Sequence, residues 1–596
     1  MKTKESLFND IVRYTRLVWQ TGNIQRLNPL IRLMMEEICN ELHLLYGKLD
    51  DTDVAVLEKL IKNLSPSVFN YVRPGHAVLH IKTGTGLLEF RLDRTAGFYV
   101  KTPPVEFKED NMNSLLFTPV VDTDVRNISI ARLFYKNVLW ATDVTGNRTL
   151  LSRSDKKAAY NTVWLGLEID PALRTLRDLP FYIDFPDLRG DHPYFDLMAE
   201  IRWMLQGQLL KMKPGFPVPS DTTLSNAEKD LLNFYRDHYQ TLPGICLDNL
   251  PKQRLPEGLA EIVPPEITAS LTPLYWLSIT FPPHFAEKDL EQARILLNAF
   301  PVVNRYYREY HLSMQEDLTK VVSLSSGTGE AFMEIDGIIC RRGEELYPVK
   351  RYAVDPVKKD TAGVSGLSDR LEKVIDVLGD EKTAFPSGID SEKLMEIFNS
   401  VSSIQNNEMF IVENNRLRAS AEVARLAIRP EEETTGISIY YWNTHAELLN
   451  GLPAGTALMA HKVPELNKTE AVFITPVSGG CSFLDPESRA NILQFYLTAK
   501  DRILTKNDVV NFCRIELGDQ VQDIQVVRNV RISQKFKEGM IHVIEIRILP
   551  RTGRLAFLQS NGVLKSLRLR LQQRSPDSFR YKIAIMDEQE KKWLLA

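Results

Sequence analysis

HAVLHIKTGTGLLEFRLD, residues 76–93, is where the chain changes its hydrophobic period. Two β-favourable runs flank Thr83-Gly84-Thr85-Gly86, and glycine supplies the positive φ that tight hairpins need, so the stretch predicts a β-hairpin. Upstream the pattern is helical. In residues 27–51, Leu27, Leu30, Met34, Ile38, Leu42, Leu45 and Leu49 recur at steps of three and four, with Arg32, Glu36, Glu37 and Asn40 between them. Pro29 suits the first turn. A second, shorter helix carries Val54, Leu57, Leu60, Ile61 and Leu64 and stops before Pro66, because proline disfavours a helical residue ahead of it. The two form a helical hairpin whose apolar stripe packs on the protein's own core or is left for a partner's helices.

Downstream of residue 93 the reading is β-rich. Runs at 127–135, 162–170 and 179–185 read as strands, followed by a helix with Phe195, Met198, Ile201, Leu205 and Leu209 behind Asp191 and Pro193. Next come a strand at 274–281, a helix over 287–300 and an extended segment at 300–307. Residues 355–368, DPVKKDTAGVSGLS, are polar and aperiodic and read as a surface loop or linker. Short helices are expected at 369–378 and 391–401, strands at 436–442 and 456–462, and a helix at 486–500. Thr505 and Asp508, three apart, cap a helix over 508–517; strands at 522–533 and 541–549, a second helix and a strand at 580–586 complete a compact α+β module. The fold class is therefore α+β and multidomain. Its units are an N-terminal helical module (1–73), a β-rich body (74–310), a middle α+β region with the polar insert (311–475) and the C-terminal module (476–596).

Composition agrees. The 596 residues are 44% hydrophobic and 25% charged, which excludes global disorder. With 73 Lys+Arg against 77 Asp+Glu the net charge is -4, so no basic excess marks a nucleic-acid binder. Five scattered cysteines form no CxxC pair and point to a reduced, intracellular chain. The N-terminus lacks an apolar signal region and no run reaches the roughly 18 apolar residues of a membrane span, so a cytoplasmic location is expected and the sequons at Asn127, Asn147 and Asn467 carry little weight.

Candidate chemistry is sparse. Asp184, Asp187, Asp191, His192 and Asp196 stand close together and offer oxygen and imidazole ligands, but their spacing fits neither an EF-hand nor an HExxH helix. A loop that ends a strand and caps a helix uses the same residues. SSGTGE (325–330) and PVSGGCS (476–482) lack the Gly-Lys-Ser/Thr ending of a P-loop and read as turns. The segment around Ser365 has the wrong register for a nucleophile elbow, and Cys340 and Cys481 have no neighbouring histidine to activate a thiol. Lys565, Arg568, Arg570 and Arg574 read as solvated charges on an outer face or as a patch that steers toward an acidic partner. No catalytic residue, cofactor or metal is assigned.

Several of these segments, taken in order, resemble the TssF family of type VI secretion baseplate subunits. They are the Lys48-Leu49-Asp50-Asp51 break between the two helices, Leu64-Ser65-Pro66, and Arg73-Pro74 directly before a strand. They continue in LRTLRDLPFYIDF (173–185), Phe300-Pro301-Val302-Val303-Asn304, and DRILTKNDVVNF (501–512), the last similar to the helix start of phage baseplate J-like proteins. SVFNYVRPGHAV (67–78) and the C-terminal third depart from the common pattern and place the resemblance with a divergent, Bacteroidetes-type branch. The resemblance implies a non-enzymatic wedge protein, with a C-terminal module like those of phage baseplate wedge proteins. Its implied partners are a TssG-like subunit, a second TssF copy, TssE, TssK and the VgrG hub, with no nucleic acid and no membrane insertion. Leu30, Leu33, Met34, Ile38, Leu42 and Leu45 are then interface candidates. Two other classes stay open: a wedge protein of a related phage tail or extracellular injection machine, and a metal-dependent enzyme built around residues 184–196.

Overall fold

A computed structural model describes residues 72–313 with breaks at 82–87, 102–114, 144–145, 187, 189–191, 221 and 249. It further describes 320–359 with breaks at 326–329, 343–344 and 350–351, and 422–482 with breaks at 429–433, 462, 464–465 and 467–470. The last part is 492–586 with breaks at 493–494, 496–498, 500–501, 534–537, 556–557 and 559–561; Cys39 is described alone, helical and buried. The interface candidates Leu30, Leu33, Met34, Ile38, Leu42 and Leu45 lie outside the described residues, as do the expected helices at 369–378 and 391–401.

All six residues of the strand His76–Ile81 are buried. It pairs with Ala299–Asn304 on one side and Ala471–Phe473 on the other. Ala457–His461, Gly97–Val100 and Leu116–Pro119 complete a closed six-stranded barrel, which leaves no open strand edge. Phe98, Phe117, Phe300 and Phe473 fill it, Phe117 and Phe473 meeting edge to face at 4.9 Å. The barrel draws strands from both sides of residue 310.

The hairpin expected from residues 76–93 is not the pairing observed. Both runs are strands, but Glu89–Leu92 pairs with Thr123–Arg126 in a separate two-stranded sheet. Burial explains the choice: His76–Ile81 is covered on both faces, whereas Glu89 and Arg91 are exposed.

A seven-stranded antiparallel sheet follows, ordered Gln208–Leu210, Arg202–Leu205, Tyr275–Thr280, Thr162–Ile169, Ile128–Tyr135, Val138–Thr142, Arg148–Arg153. It shares a core with the sheet of Lys213–Pro214, Tyr239–Cys246, Thr175–Asp184 and Arg294–Leu296, where Leu165, Trp203 and Ile279 meet Phe181 and Ile183. The helix predicted behind Pro193 is only the 3₁₀ turn Pro193–Glu200, capped by His192. Ile201, Leu205 and Leu209 belong instead to strands and their connection, because Gln206 (φ 46°) and Gly207 (φ 86°) make a two-residue hairpin turn. The helix predicted over 287–300 likewise ends at Gln292; Asn298, at φ 51°, turns the chain from Arg294–Leu296 into the barrel.

Between barrel strands Ala299–Asn304 and Ala457–His461 the chain builds a further unit. The sheet Tyr306–Ser313, Gly436–Thr444, Ala331–Arg342, Glu345–Pro348 meets the sheet Lys320–Ser325, Glu422–Ile428, Tyr352–Lys359 across a core containing Leu324, Ile338, Cys340, Leu426 and Ile439. Residues 355–359 of the expected loop lie in that last strand, and a register shift between Asp355 and Lys358 accommodates Pro356, which has no amide to donate.

The C-terminal module follows the predicted order: helix Lys506–Leu517, strands Val521–Ile532 and Met540–Pro550, helix Val563–Arg574, strand Tyr581–Ile585. Thr505 accepts from Asp508 N at 3.2 Å and Asp508 accepts from Thr505 N at 2.8 Å, a reciprocal cap whose side-chain bond is worth about 1 kcal/mol. Met540–Pro550 and Tyr581–Ile585 are parallel, joined by the crossover helix. The molecule is thus α+β, with separate cores for the barrel, the seven- and four-stranded sheets, the inserted unit and the C-terminal module. No helix among the described residues is long and apolar enough to cross a membrane.

Candidate functional site: two charged junctions and a groove

The acidic cluster at 184–196 is dispersed by the fold. Asp184 ends its strand half-buried, where desolvation raises its pKa, with Oδ1 3.8 Å from His238 Nδ1. His192 accepts from Tyr194 N at 3.4 Å, and Asp196 lies 3.9 Å from Arg568. Asp187 and Asp191 are outside the described residues. Among the described residues no three His, Cys, Asp or Glu side chains are grouped to hold a metal ion.

The glycine turns have a packing role instead. A Cβ on Gly480 would sit 2.1 Å from the Ala446 carbonyl oxygen, and one on Gly479 2.3 Å from His76 Nε2. His76 donates to or accepts from the Tyr235 hydroxyl at 2.7 Å, and burial lowers its pKa to about 4, so the imidazole is neutral. Ser365 and residues 326–329 are outside the described residues. Cys340 is fully buried in the inserted unit's core, and Cys481 is half-buried in the short strand opposite Arg73.

The basic run on Val563–Arg574 is not the outer face expected from sequence. Its helix packs inward, toward the body's helix Asn226–Tyr235. Glu516 of the Lys506–Leu517 helix receives Arg73 in a bidentate pair at 2.7 and 2.9 Å, and Arg570 at 3.1 Å. One carboxylate thus joins the strand before the barrel to both C-terminal helices. Arg574 lies over the Phe512 ring at 5.3 Å. Lys565 is 2% exposed, and its Nζ sits 5.2 and 5.1 Å from the Phe195 and Phe234 ring centres. That ammonium has no hydrogen-bond partner among the described residues. Burial lowers its pKa to about 8, opposed by the field of Asp237 and Asp184.

A second junction lies where the barrel hands the chain to the inserted unit. Arg305 is fully buried and uses its whole guanidinium. Nε donates to Thr118 Oγ1 at 2.8 Å, Nη1 to Glu228 at 2.6 Å and Nη2 to the Pro119 and Val120 carbonyls at 2.9 and 3.3 Å. Its plane lies 4.1 Å from the Trp442 ring centre. Glu228 is also the third residue of a capping box with Ser225. Arg94 pairs with Asp336, and nearby Glu334 is raised to about 7 by burial and by the charge of Glu228. Beside Arg305, Asn304 accepts from Thr444 Oγ1 and His445 N and donates to the Leu116 carbonyl at 2.8 Å, tying barrel to insert. No local signal in the sequence singles out Arg305, whereas Ser225-x-x-Glu228 has the spacing of a capping box.

A groove of about 1060 Å³ opens along the C-terminal junction, between the Val521–Ile532 strand, the Val563–Arg574 helix and residues 188–197 and 233–237 of the body. Among the described residues neither junction presents a nucleophile beside a base, and the charged side chains of Arg305, Glu228, Glu516 and Arg570 join one element to another.

No family model matches the chain, and no curated protein matches it. Among solved structures it is similar to a chain of a type VI secretion system TssK-TssF-TssG baseplate subcomplex determined by cryo-electron microscopy. The TM-score is 0.37 and the identity 11%, over 94% of this chain and 97% of that one. A likeness that loose fixes neither fold nor role.

Proposed function

We propose that this chain is a structural subunit of a type VI secretion baseplate, a TssF-like wedge protein. The observation that carries the reading is the ordered series of family-like motifs and where the described ones fall. Arg73 of the Arg-Pro pair binds Glu516. LPFYIDF lies largely in the strand Thr175–Asp184, and Pro301-Val302-Val303-Asn304 is a barrel strand whose Asn304 ties the barrel to the insert. Thr505 and Asp508 form the C-terminal cap. Motifs that pack and join, rather than react, are what a scaffold requires.

On this reading the protein works by holding subunits in one arrangement until the machine contracts, a change of assembly rather than of bonds. Its partners are a TssG-like subunit, a second copy of this chain, TssE, TssK and the VgrG hub, and it reaches the membrane through them. The N-terminal module, residues 1–73, supplies the contact to the TssG-like subunit through Leu30, Leu33, Met34, Ile38, Leu42 and Leu45. Co-expression with the neighbouring TssG-like gene tests this. Met34→Asp with Ile38→Asp abolishes co-purification while the circular dichroism and melting temperature of the full chain are kept; an undiminished complex overturns the assignment.

A further inference from the structure

The inserted unit leaves the barrel through a narrow neck. Arg305 alone separates the barrel strand Ala299–Asn304 from the unit's first strand, Tyr306–Ser313. Its last strand, Gly436–Thr444, returns through His445 into a turn at Ala446, where φ is 47°. The two connections run side by side, Tyr306 opposite Asn443, and Asn304 accepts from both Thr444 Oγ1 and His445 N across them. Val72, Ala331 and Ala446 pack together beside the neck.

Just beyond Ala331 the strand Ala331–Arg342 departs from its ladder twice, between Phe332 and Glu334 and between Ile335 and Gly337. Such bulges re-aim side chains, and here two acids meet the body in one seam. Asp336 pairs with Arg94, in the turn between Glu89–Leu92 and Gly97–Val100. Glu334 accepts from the hydroxyl of Ser225, the cap of the helix Asn226–Tyr235. Glu228 of that helix pairs with Arg305 at 2.6 Å and lies 3.8 Å from Arg94. Tyr307, which faces Arg94 and Asp336, is pushed up to about 12 by burial and stays neutral. Three carboxylates, Glu228, Glu334 and Asp336, thus stand against two guanidiniums, Arg94 and Arg305, which do not deprotonate. With Glu334 protonated the charges balance. With it ionised the seam holds one negative charge in excess.

We infer that this seam is a proton-operated latch: with Glu334 neutral the inserted unit is held against the body, and with Glu334 ionised it swings away about the neck at Asn304, Arg305 and His445. Burial and the charge of Glu228 raise the Glu334 carboxyl from 4.5 to about 7 in the closed seam, and opening returns it to water. The closed form therefore binds the proton more tightly and is favoured below that range. As pH rises from 4.5 to 7 the ratio of open to closed is expected to increase up to about 300-fold, ten-fold for each unit of the difference. The latch belongs to the chain itself and does not rest on the baseplate reading.

The test follows distances by pulsed electron paramagnetic resonance in the full chain, with Cys246 and Cys481 replaced by serine. Nitroxide labels at Lys229→Cys and Leu346→Cys, both exposed, span the seam, and labels at Lys229→Cys and Met459→Cys lie within the body. The first pair is expected to show a longer-distance population at pH 8 that is absent at pH 5.5, and the second pair to be the same at both. Glu334→Gln abolishes the long population at pH 8. Arg94→Met leaves three carboxylates to one guanidinium and shows it at pH 5.5 as well. Melting curves of each variant at both pH values separate opening from unfolding. One distribution at both pH values, a pH response that persists in Glu334→Gln, an Arg94→Met variant closed at both, or lengthening of the body pair together with the seam pair would each overturn the inference.

Discussion

The two charged junctions solve the same problem in opposite ways. At the barrel junction Arg305 is enclosed, and each of its three nitrogens has a named acceptor. At the C-terminal junction Lys565 is equally enclosed, and its ammonium has two aromatic faces and the field of nearby acids but no hydrogen bond among the described residues. A planar guanidinium with several fixed donors can be satisfied in a crowded seam between three elements, whereas an ammonium buried between rings stays partly uncompensated. The first junction is a lock. The second is held by apolar packing and by the Arg73–Glu516–Arg570 bridge, and it carries a charge that works against burial.

Breaking the lock is the largest effect. Arg305→Met takes from the buried Glu228 its closest cation, leaving it the Ser225 amide at 3.0 Å and Arg94 at 3.8 Å, and leaves the Pro119 and Val120 carbonyls without their donor. Denaturation of the full chain is expected to show a loss of about 3–5 kcal/mol in the transition that contains the barrel. Adding Glu228→Gln should recover a large part, since the buried charge is then gone while the capping box with Ser225 is kept. A single variant as stable as the parent would erase the contrast between the junctions.

Next in size is Glu334, whose pKa of about 7 lies above its ordinary value of 4.5. The folded protein therefore binds more protons than the unfolded chain between about pH 4.5 and 7, and stability falls as pH rises through that window. Glu334→Gln keeps the shape and removes the charge beside Glu228. The variant is expected to be more stable at pH 8 by about 2–3 kcal/mol, with a flatter dependence between pH 4.5 and 7. Parallel pH curves for the two proteins would contradict this.

The smallest effect sharpens the other side. Lys565, lowered to about 8 from 10.5, binds fewer protons folded than unfolded between those values, so its contribution to stability rises with pH from about 8 to 10.5. Lys565→Met removes a partly uncompensated charge and also two cation–π contacts, each worth about 1 kcal/mol. A net gain of about 1–2 kcal/mol at pH 7 is expected, with no gain above pH 10.5. A strong destabilisation would mean that the ammonium is as well held as Arg305.

What was legible in the sequence follows how local each signal is. The C-terminal module could be read because Thr505 and Asp508 cap within one turn and Ile544, Ile546 and Ile548 alternate along one strand. The barrel could not, because His76–Ile81 finds its partners at residues 299–304 and 471–473, and nothing in HAVLHI names them. Leu205 and Leu209 fit a helical step as well as a hairpin, and the Gln206-Gly207 turn decided between them. The dispersal of Asp184, His192 and Asp196 depends on the same long-range packing. So does the inward turn of Lys565 and Arg570, whose helix reads as amphipathic in either orientation. The acidic and glycine segments carry the local signals of turns and caps, and the glycines at 479 and 480 make the close approach that such turns require.

The closed barrel also sets a timetable. Its first strand, His76–Ile81, leaves the ribosome about 390 residues before Phe473, which its partner strand contains. At the usual pace of synthesis that is a wait of roughly 20–80 s. During it the inserted unit, from Tyr306 to Thr444, emerges whole and can fold on its own pairings, while the strand beside it stays open on one edge. A chain halted anywhere between residues 313 and 470 would therefore carry a buried-type strand paired with Ala299–Asn304 on one edge and open on the other, the edge that Ala471–Phe473 closes.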